Sequence, residues 1–302
     1  MKTIKITKMQ GLGNDFVILD YSEYEKSGLI MSDLAKKLCD RNFGVGADGM
    51  IIPNLSPINK TADIGWYFYN SDGSTAQMCG NGIRCFAKYA FDKKLVDKKE
   101  FAVETLAGTI IPSIQKNGEV KVKMSKPILT SDDIPFKGKC DSDLPSLLGG
   151  EGRVKDKCLN YPLTIDDKTF KINAISMGNP HCVIFIEDNS DLLKLAKTYG
   201  PKIESHPLFP EKTNVEFVRV ISKSEMDMVV YERGCGITLA CGTGACASVV
   251  AGILNNLTEN KIKVTLLGGA LTIEWQGSQE NLDFHVFMSG PAQYSFFAEY
   301  IL

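Results

Sequence analysis

Residues 79–85 read CGNGIRC and residues 241–247 read CGTGACA, 162 positions apart. Each places a cysteine before a Gly-x-Gly turn that runs into an apolar segment. At the same shift IGWYFYN (64–70) lies over MDMVVYE (226–232), with Tyr69 on Tyr231 and Asn70 on Glu232. The loops that follow, SDGSTAQM and RGCGITLA, each lead into a cysteine. Upstream, GNDFVILD (13–20) resembles GNPHCVIFIED (178–188), each a Gly-Asn turn before a β-branched run. Gly13 precedes Cys79 by 66 residues and Gly178 precedes Cys241 by 63, so the order of parts recurs at nearly constant spacing. Two long units are too few for a solenoid and imply one ancestral α/β unit duplicated and fused.

The segments after the cysteines read as helices. Ile83, Phe86, Ala87, Ala90 and Phe91 form a helical apolar stripe. ACASVVAGIL (245–254) is apolar nearly all round, so such a helix must be enclosed, as by a wrapping sheet. Most other segments read as strands: KITKM, FVILD, MIIP, FAVET, TIIPSI, EVKVKM, HCVIFI, NVEFVRV, IKVTLL, LTIEW and LDFHVFM. The expected fold is α/β (α+β), with two pseudo-symmetric halves, each a mostly antiparallel sheet or barrel wrapped around a central helix. The boundary is placed near Ser125-Lys126-Pro127. Residues 1–126, joined by the tail 291–302, make the half carrying Cys79, and 127–290 make the half carrying Cys241. The polar, glycine-rich stretch 137–159 reads as an inserted surface loop.

Composition narrows the function classes. The chain has 302 residues, 44% of them hydrophobic, and a formal net charge of −2 without long runs of like charge. Neither nucleic acid nor an acidic membrane surface is an expected partner. The N-terminal MKTIKITKMQGLG lacks the apolar run of a signal peptide, and the expected location is the cytoplasm. Nine cysteines, an odd number in a cytosolic chain, do not suggest a disulfide scaffold. No C-x₂-C pair occurs, and the histidines are His181, His206 and His285, so no metal is expected. Cys85, Cys182 and Cys246 sit in apolar patterns and read as core thiols. Cys39, Cys140 and Cys158 lie in polar context without an evident partner, and Cys235 lies in a loop near the repeated motif.

GVGADG (44–49) formally matches G-x-G-x-x-G, but it follows a helical pattern and precedes a short strand, the reverse of a dinucleotide site. The paired C-G-x-G turns carry more. Gly80, Gly82, Gly242 and Gly244 free space at helix N-termini, where N–H groups and the helix dipole favour an anion. The same field lowers a neighbouring thiol's pKa. Two such thiols on duplicated halves are expected to face each other, near enough to join on oxidation. Inverting a carbon that bears a hydrogen needs a base on one face and an acid on the other, which a thiolate and a thiol supply unaided. Backbone N–H groups would stabilise the charge growing on the adjacent carboxylate. The pattern thus suggests proton transfer at the α-carbon of a carboxylate-bearing substrate.

NSDGSTAQMCGNGIRC, GNPHCV and ERGCGITLACGTGACA, together with GLGNDFVILD and GVGADG, resemble the signatures of the diaminopimelate epimerase family. The resemblance runs over most of the chain. It implies two similar α/β halves, a homodimer, no cofactor (pyridoxal phosphate in particular), and interconversion of LL- and meso-diaminopimelate for lysine and cell-wall synthesis. Carried over by position, it makes Cys79 and Cys241 the acid/base pair, assisted by His181 and Glu232. Gly80-Asn81 and Gly242-Thr243 would bind the reacting carboxylate. Asn14, Asn70, Asn179, Asn214 and Arg233 would hold the substrate, mainly its distal end, with Glu232 a partner for an ammonium. Two departures stand out: Gly49, where many relatives carry Gln, and the 137–159 insertion. A proline or hydroxyproline racemase is the nearest rival, but a cyclic substrate needs no second amino-acid clamp. The phenazine-pathway relatives of the same fold, a non-catalytic or isomerase-like alternative, lack the cysteine pair that this chain keeps.

Overall fold

Burial that alternates along the strands decides which face of each sheet a helix covers. The computed structural model describes residues 2–138 and 157–302. Most of the 137–159 insertion, Cys140 included, lies outside the described residues. The chain divides into two units, Met1–Lys123 with Ser289–Leu302, and Met124–Met288.

The first unit runs β1 (Thr3–Gly11), β2 (Asn14–Ile18), α1 (Tyr21–Ser27), α2 (Met31–Cys39), β3 (Gly49–Asn54), β4 (Ile64–Asn70), α3 (Gly80–Asp92), β5 (Val103–Thr105), β6 (Gly108–Ile110), β7 (Pro112–Ile114) and β8 (Val120–Lys123). The second runs β9 (Tyr161–Ile165), β10 (Lys168–Ser176), β11 (Pro180–Phe185), α4 (Leu192–Glu204), β12 (Asn214–Ser222), β13 (Glu225–Glu232), β14 (Gly236–Ile237), α5 (Gly242–Leu254), β15 (Lys261–Leu266), β16 (Gly269–Trp275) and β17 (Val286–Gly290). The tail strand β18 (Gln293–Ile301) returns to pair with β1.

Strand order in the first unit is β18-β1-β2-β3-β4-β5-β6, and in the second it includes β9-β10-β11-β12-β13-β15-β16. The pairings match one for one. β1/β2 and β10/β11 are antiparallel, β2/β3 and β11/β12 parallel, β3/β4 and β12/β13 antiparallel. β4/β5 and β13/β15 are parallel, β5/β6 and β15/β16 antiparallel. Each parallel step needs a crossover, and helices occupy all of them: α1 and α2, then α3, in one unit, and α4, then α5, in the other. Both sheets are open among the described residues, so the barrel alternative does not hold.

In β4, Ile64, Trp66 and Phe68 face α3, with Trp66 against Phe86 at 5.5 Å between rings. Tyr67 and Tyr69 point the other way, onto the cluster that α2 completes with Leu34, Ala35 and Leu38. In the second unit, Val215 and Phe217 pack with Leu195, Ala196 and Ile203 of α4. Met226 and Met228 turn to α5, where Met226 approaches Gly252 and Met228 accepts a hydrogen bond from Ser248. α5 is buried at all but one of its 13 residues, as its uniformly apolar sequence requires.

Some elements differ from the sequence reading. TIIPSI splits into β6 and β7 at the exposed Ile111, ahead of Pro112, which has no N–H to continue a ladder. α4 has no counterpart in the sequence reading, and it contains Gly200-Pro201, two residues that ordinarily break helices. There a Cβ on Gly200 would sit 2.6 Å from the Cβ of Tyr231, so glycine lets the helix press onto β13. Cys39, read in polar context, is buried beside Leu38, and burial pushes its thiol up to about 12. Cys158, read without a partner, is disulfide-bonded.

Candidate active site

Each repeated cysteine is the N-cap of the central helix of its unit. Cys79 and Cys241 have extended backbones, and each Sγ accepts the N–H three residues on, from Gly82 and Gly244, at 3.4 Å. The sulfur thus takes the place of a capping oxygen at the positive end of the helix dipole.

Around Cys79 the first unit gathers amides. The thiol donates to Asn14 Oδ1 at 3.4 Å, and Asn81 Nδ2 donates to the same oxygen at 3.2 Å. Asn14 follows a turn in which Leu12 and Gly13 both have left-handed φ, 58° and 85°, a tight hairpin that suits glycine. Its own Nδ2 donates to Asp48, the acidic residue of GVGADG, and Arg41 pairs with Asp48 at 2.7 Å and Asp15 at 2.9 Å. Burial raises the Asp15 carboxyl, but Arg41 and Lys8 outweigh it and hold the group below the usual range. GVGADG is therefore a brace for Asn14. Asn70 donates to Ser74 Oγ at 2.9 Å, and Gly80 opens α3. Gly49 is fixed by packing, since a Cβ there would lie 2.7 Å from both Phe68 Cε2 and Tyr69 O.

Around Cys241 the second unit gathers carboxylates. Burial pushes this thiol well above its ordinary value, and the Glu232 and Glu216 carboxylates push it further, against a hydrogen bond with Thr243. The sequence expectation of a lowered pKa fails here: desolvation and two negative neighbours outweigh the helix end. Glu232 hydrogen-bonds the thiol. His181 lies on β11, fully buried, with Nδ1 2.7 Å from Glu216 Oε1 and Nε2 3.1 Å from Asn179 Oδ1. Asn214 has both ends of its amide engaged, donating to Pro180 O at 2.8 Å and accepting Arg233 N at 3.0 Å. The Arg233 side chain is exposed and donates to Glu211 O.

Two glycines serve the protein's own packing. A Cβ on Gly242 would meet Met288 Sδ at 2.9 Å, and one on Gly244 would meet Glu216 Oε1 at 2.6 Å. Glu216 is the residue the sequence reading passed over. A signal existed: a lone carboxylate inside NVEFV, on the same face as Asn214. A surface groove lined by Asp191, Arg219, Asp227 and Thr265 holds none of the candidate site residues.

Comparison with known proteins agrees with the fold and motifs. The diaminopimelate epimerase family profile matches residues 6–130 and 173–295. The diaminopimelate epimerase of Halothermothrix orenii is 47% identical over 294 residues, covering 96% of this chain and 95% of that protein. Among solved structures, a Bacillus anthracis phenazine biosynthesis protein of the PhzF family covers 100% of both chains with a TM-score of 0.65 at 16% identity. A hydroxyproline epimerase from Agrobacterium vitis covers 99% of this chain and 92% of its own, with a TM-score of 0.63 at 10% identity. At such identities these two structures speak for the fold alone. The full-length match at nearly half identity carries the assignment: the chain belongs to the diaminopimelate epimerase family, a family of isomerases.

Proposed function

We propose that the protein interconverts LL- and meso-2,6-diaminopimelate without a cofactor, by a two-base reaction of Cys79 and Cys241, in lysine and peptidoglycan biosynthesis. The observation that carries this reading is the recurrence of one device: a cysteine capping the central helix of each duplicated unit, with the N3 N–H on its sulfur. One sulfur, as thiolate, removes the α-proton, and the other, as thiol, returns a proton to the opposite face of the carbon. The bond broken on one side is thus matched by the bond formed on the other, and the roles exchange in the reverse direction.

The surroundings suit Cys241 to rest as the thiol, with Glu232 hydrogen-bonded to it as a proton partner. Gly80-Asn81 and Gly242-Thr243, at the helix starts, suit the reacting carboxylate and the charge that spreads into it. Asn14, Asn70, Asn179, Asn214 and Arg233 are assigned to the rest of the substrate, with His181, whose ring nitrogens are engaged by Glu216 and Asn179, assisting through Asn179. We take the protein as a homodimer whose partner molecule is this small amino acid rather than nucleic acid or a membrane. No helix among the described residues is long and apolar enough to cross a bilayer. Among the described residues seven cysteines carry reduced thiols, which supports the cytoplasm, and the disulfide at Cys158 points the other way.

The deciding experiment incubates the purified protein with LL-diaminopimelate in D₂O, pyridoxal phosphate excluded. Deuterium should enter the α-position as the meso form accumulates. Racemisation of proline with LL-diaminopimelate left unchanged would overturn the assignment.

A further inference from the structure

We propose that Glu216 is a positioning residue for the reaction: through His181 it fixes which end of the Asn179 amide is offered to the substrate. This rests on the reading of the site given above. The three residues form one line of hydrogen bonds, Glu216 Oε1 to His181 Nδ1 at 2.7 Å and His181 Nε2 to Asn179 Oδ1 at 3.1 Å. Glu216 and His181 are both fully buried, whereas Asn179 is half-buried at the start of β11.

The proton count follows from the donors and acceptors. An amide oxygen only accepts, so His181 Nε2 must carry a hydrogen. The other proton lies between Nδ1 and the carboxyl oxygen. Burial raises the proton affinity of Glu216, the Glu232 charge adds to that, and His181 opposes it. Whichever side holds the proton, the pair is neutral overall and Nε2–H is retained. The Asn179 oxygen is thereby engaged, and its Nδ2–H₂ is left as the end that donates, as suits a substrate carboxylate. Glu216 Oε2 has no hydrogen-bond partner among the described residues, a desolvation cost retained in the core. The charged or titratable groups near the carboxyl among the described residues are His181, Glu232, Cys241 and Cys182.

The other unit shows that the fold does not require this pair. By strand register, Phe16 opposes Gly49 as His181 opposes Asn214, and Met50 opposes Tyr69 as Val215 opposes Tyr231. The positions of His181 and Glu216 are therefore filled by Phe16 and Ile51, both buried. Hydrocarbon does at one copy what a costly polar pair does at the other, and replacing such a pair by apolar groups is often neutral for stability. A requirement beyond folding explains why the second copy keeps it.

The test uses the full-length protein labelled with ¹⁵N-histidine, assayed with LL-diaminopimelate. In Glu216→Gln the His181 nitrogen resonances should shift, kcat should fall at least about tenfold, and Glu216→Asp should recover part of the loss. A merely structural role would lower the melting temperature while leaving the resonances and the kcat of the folded protein in place, and that result overturns the proposal. Should Glu216→Gln fail to fold, Asn179→Ala, at a half-buried position, gives the same spectral test: its Nε2 resonance must move, and an unmoved one overturns the relay. If the unsubstituted protein does not epimerise diaminopimelate, the functional reading falls. The relay is then judged by the imidazole resonances alone.

Discussion

The starts of α3 and α5 have the same backbone and the same cap, yet their surroundings are opposite in chemistry. Cys79 is met by the amides of Asn14 and Asn81, braced through Asp48 and Arg41. Cys241 is buried against the carboxylates of Glu232 and Glu216. Duplication supplied the helix, the glycines and the sulfur twice. Divergence at matched sheet positions, Asn70 against Glu232 and Ile51 against Glu216, gave the second copy the carboxylates that raise the Cys241 thiol. A duplicated scaffold thus carries unlike chemistry at its two helix starts, which suits the acid and base roles proposed for the two sulfurs.

The largest effect that would break this comparison concerns the sulfurs. Cys79→Ala and Cys241→Ala should each lower epimerisation about a thousandfold or more, read as deuterium exchange and optical inversion of LL-diaminopimelate. Substantial turnover in either would leave only one copy chemically necessary. Next is stability. Ile51→Glu puts a carboxylate where the first unit has no histidine, and should destabilise by about 3–5 kcal/mol in urea unfolding. If the loss is below about 1 kcal/mol, the two units are more alike in polarity than their side chains indicate.

A smaller contrast lies at the N3 glycines. Gly244→Ala should cost about 1–3 kcal/mol, because its Cβ would meet Glu216 Oε1 at 2.6 Å. Gly82→Ala should cost less, since its nearest neighbour, Cys79 Cβ, is at 3.3 Å. Equal losses in thermal melts would show that glycine serves the backbone alone. The smallest effect sharpens the electrostatic difference. With its thiol held above the ordinary value, Cys241 is almost wholly protonated at neutral pH. Its alkylation by iodoacetamide should be slower than that of the exposed Cys235 and rise about tenfold per pH unit, as peptide mapping would show.

Buried thiols also tie folding to pH. Cys39 and Cys85 are raised from 9.0 to about 12 by burial, so the folded state keeps protons that the unfolded chain releases. Their contribution to stability is intact below pH 9 and is lost progressively as the pH rises from there toward 12. Denaturation curves collected across that range should show the midpoint falling. A flat profile would contradict the burial of these two sulfurs.

Much of this was legible before any coordinates. The repeat spacing, the apolar α5 and the helical stripe of α3 are written in periodicity, because a helix and a strand expose hydrocarbon at different intervals. The family resemblance, rather than the repeat, singled out Asn14, Asn81, Glu232 and Thr243; the structure places Asn14 at Cys79, Asn81 on Asn14, and Glu232 and Thr243 at Cys241. α4 stayed hidden, and its Gly200 and Pro201 carry breaker signals that tertiary contact with Tyr231 overrides. Glu216 stayed hidden because an acidic residue in a strand is ordinarily on the surface.

The sequence by itself determined that one α/β unit occurs twice and that each copy starts its central helix with cysteine and glycine. Local propensity and spacing suffice for that, since they act along the chain. Only the tertiary structure decided that the Cys241 thiol is held protonated and that His181 answers to Glu216. Those properties come from desolvation and from charges brought together across β11, β12, β13 and α5, and neither leaves a mark on neighbouring letters.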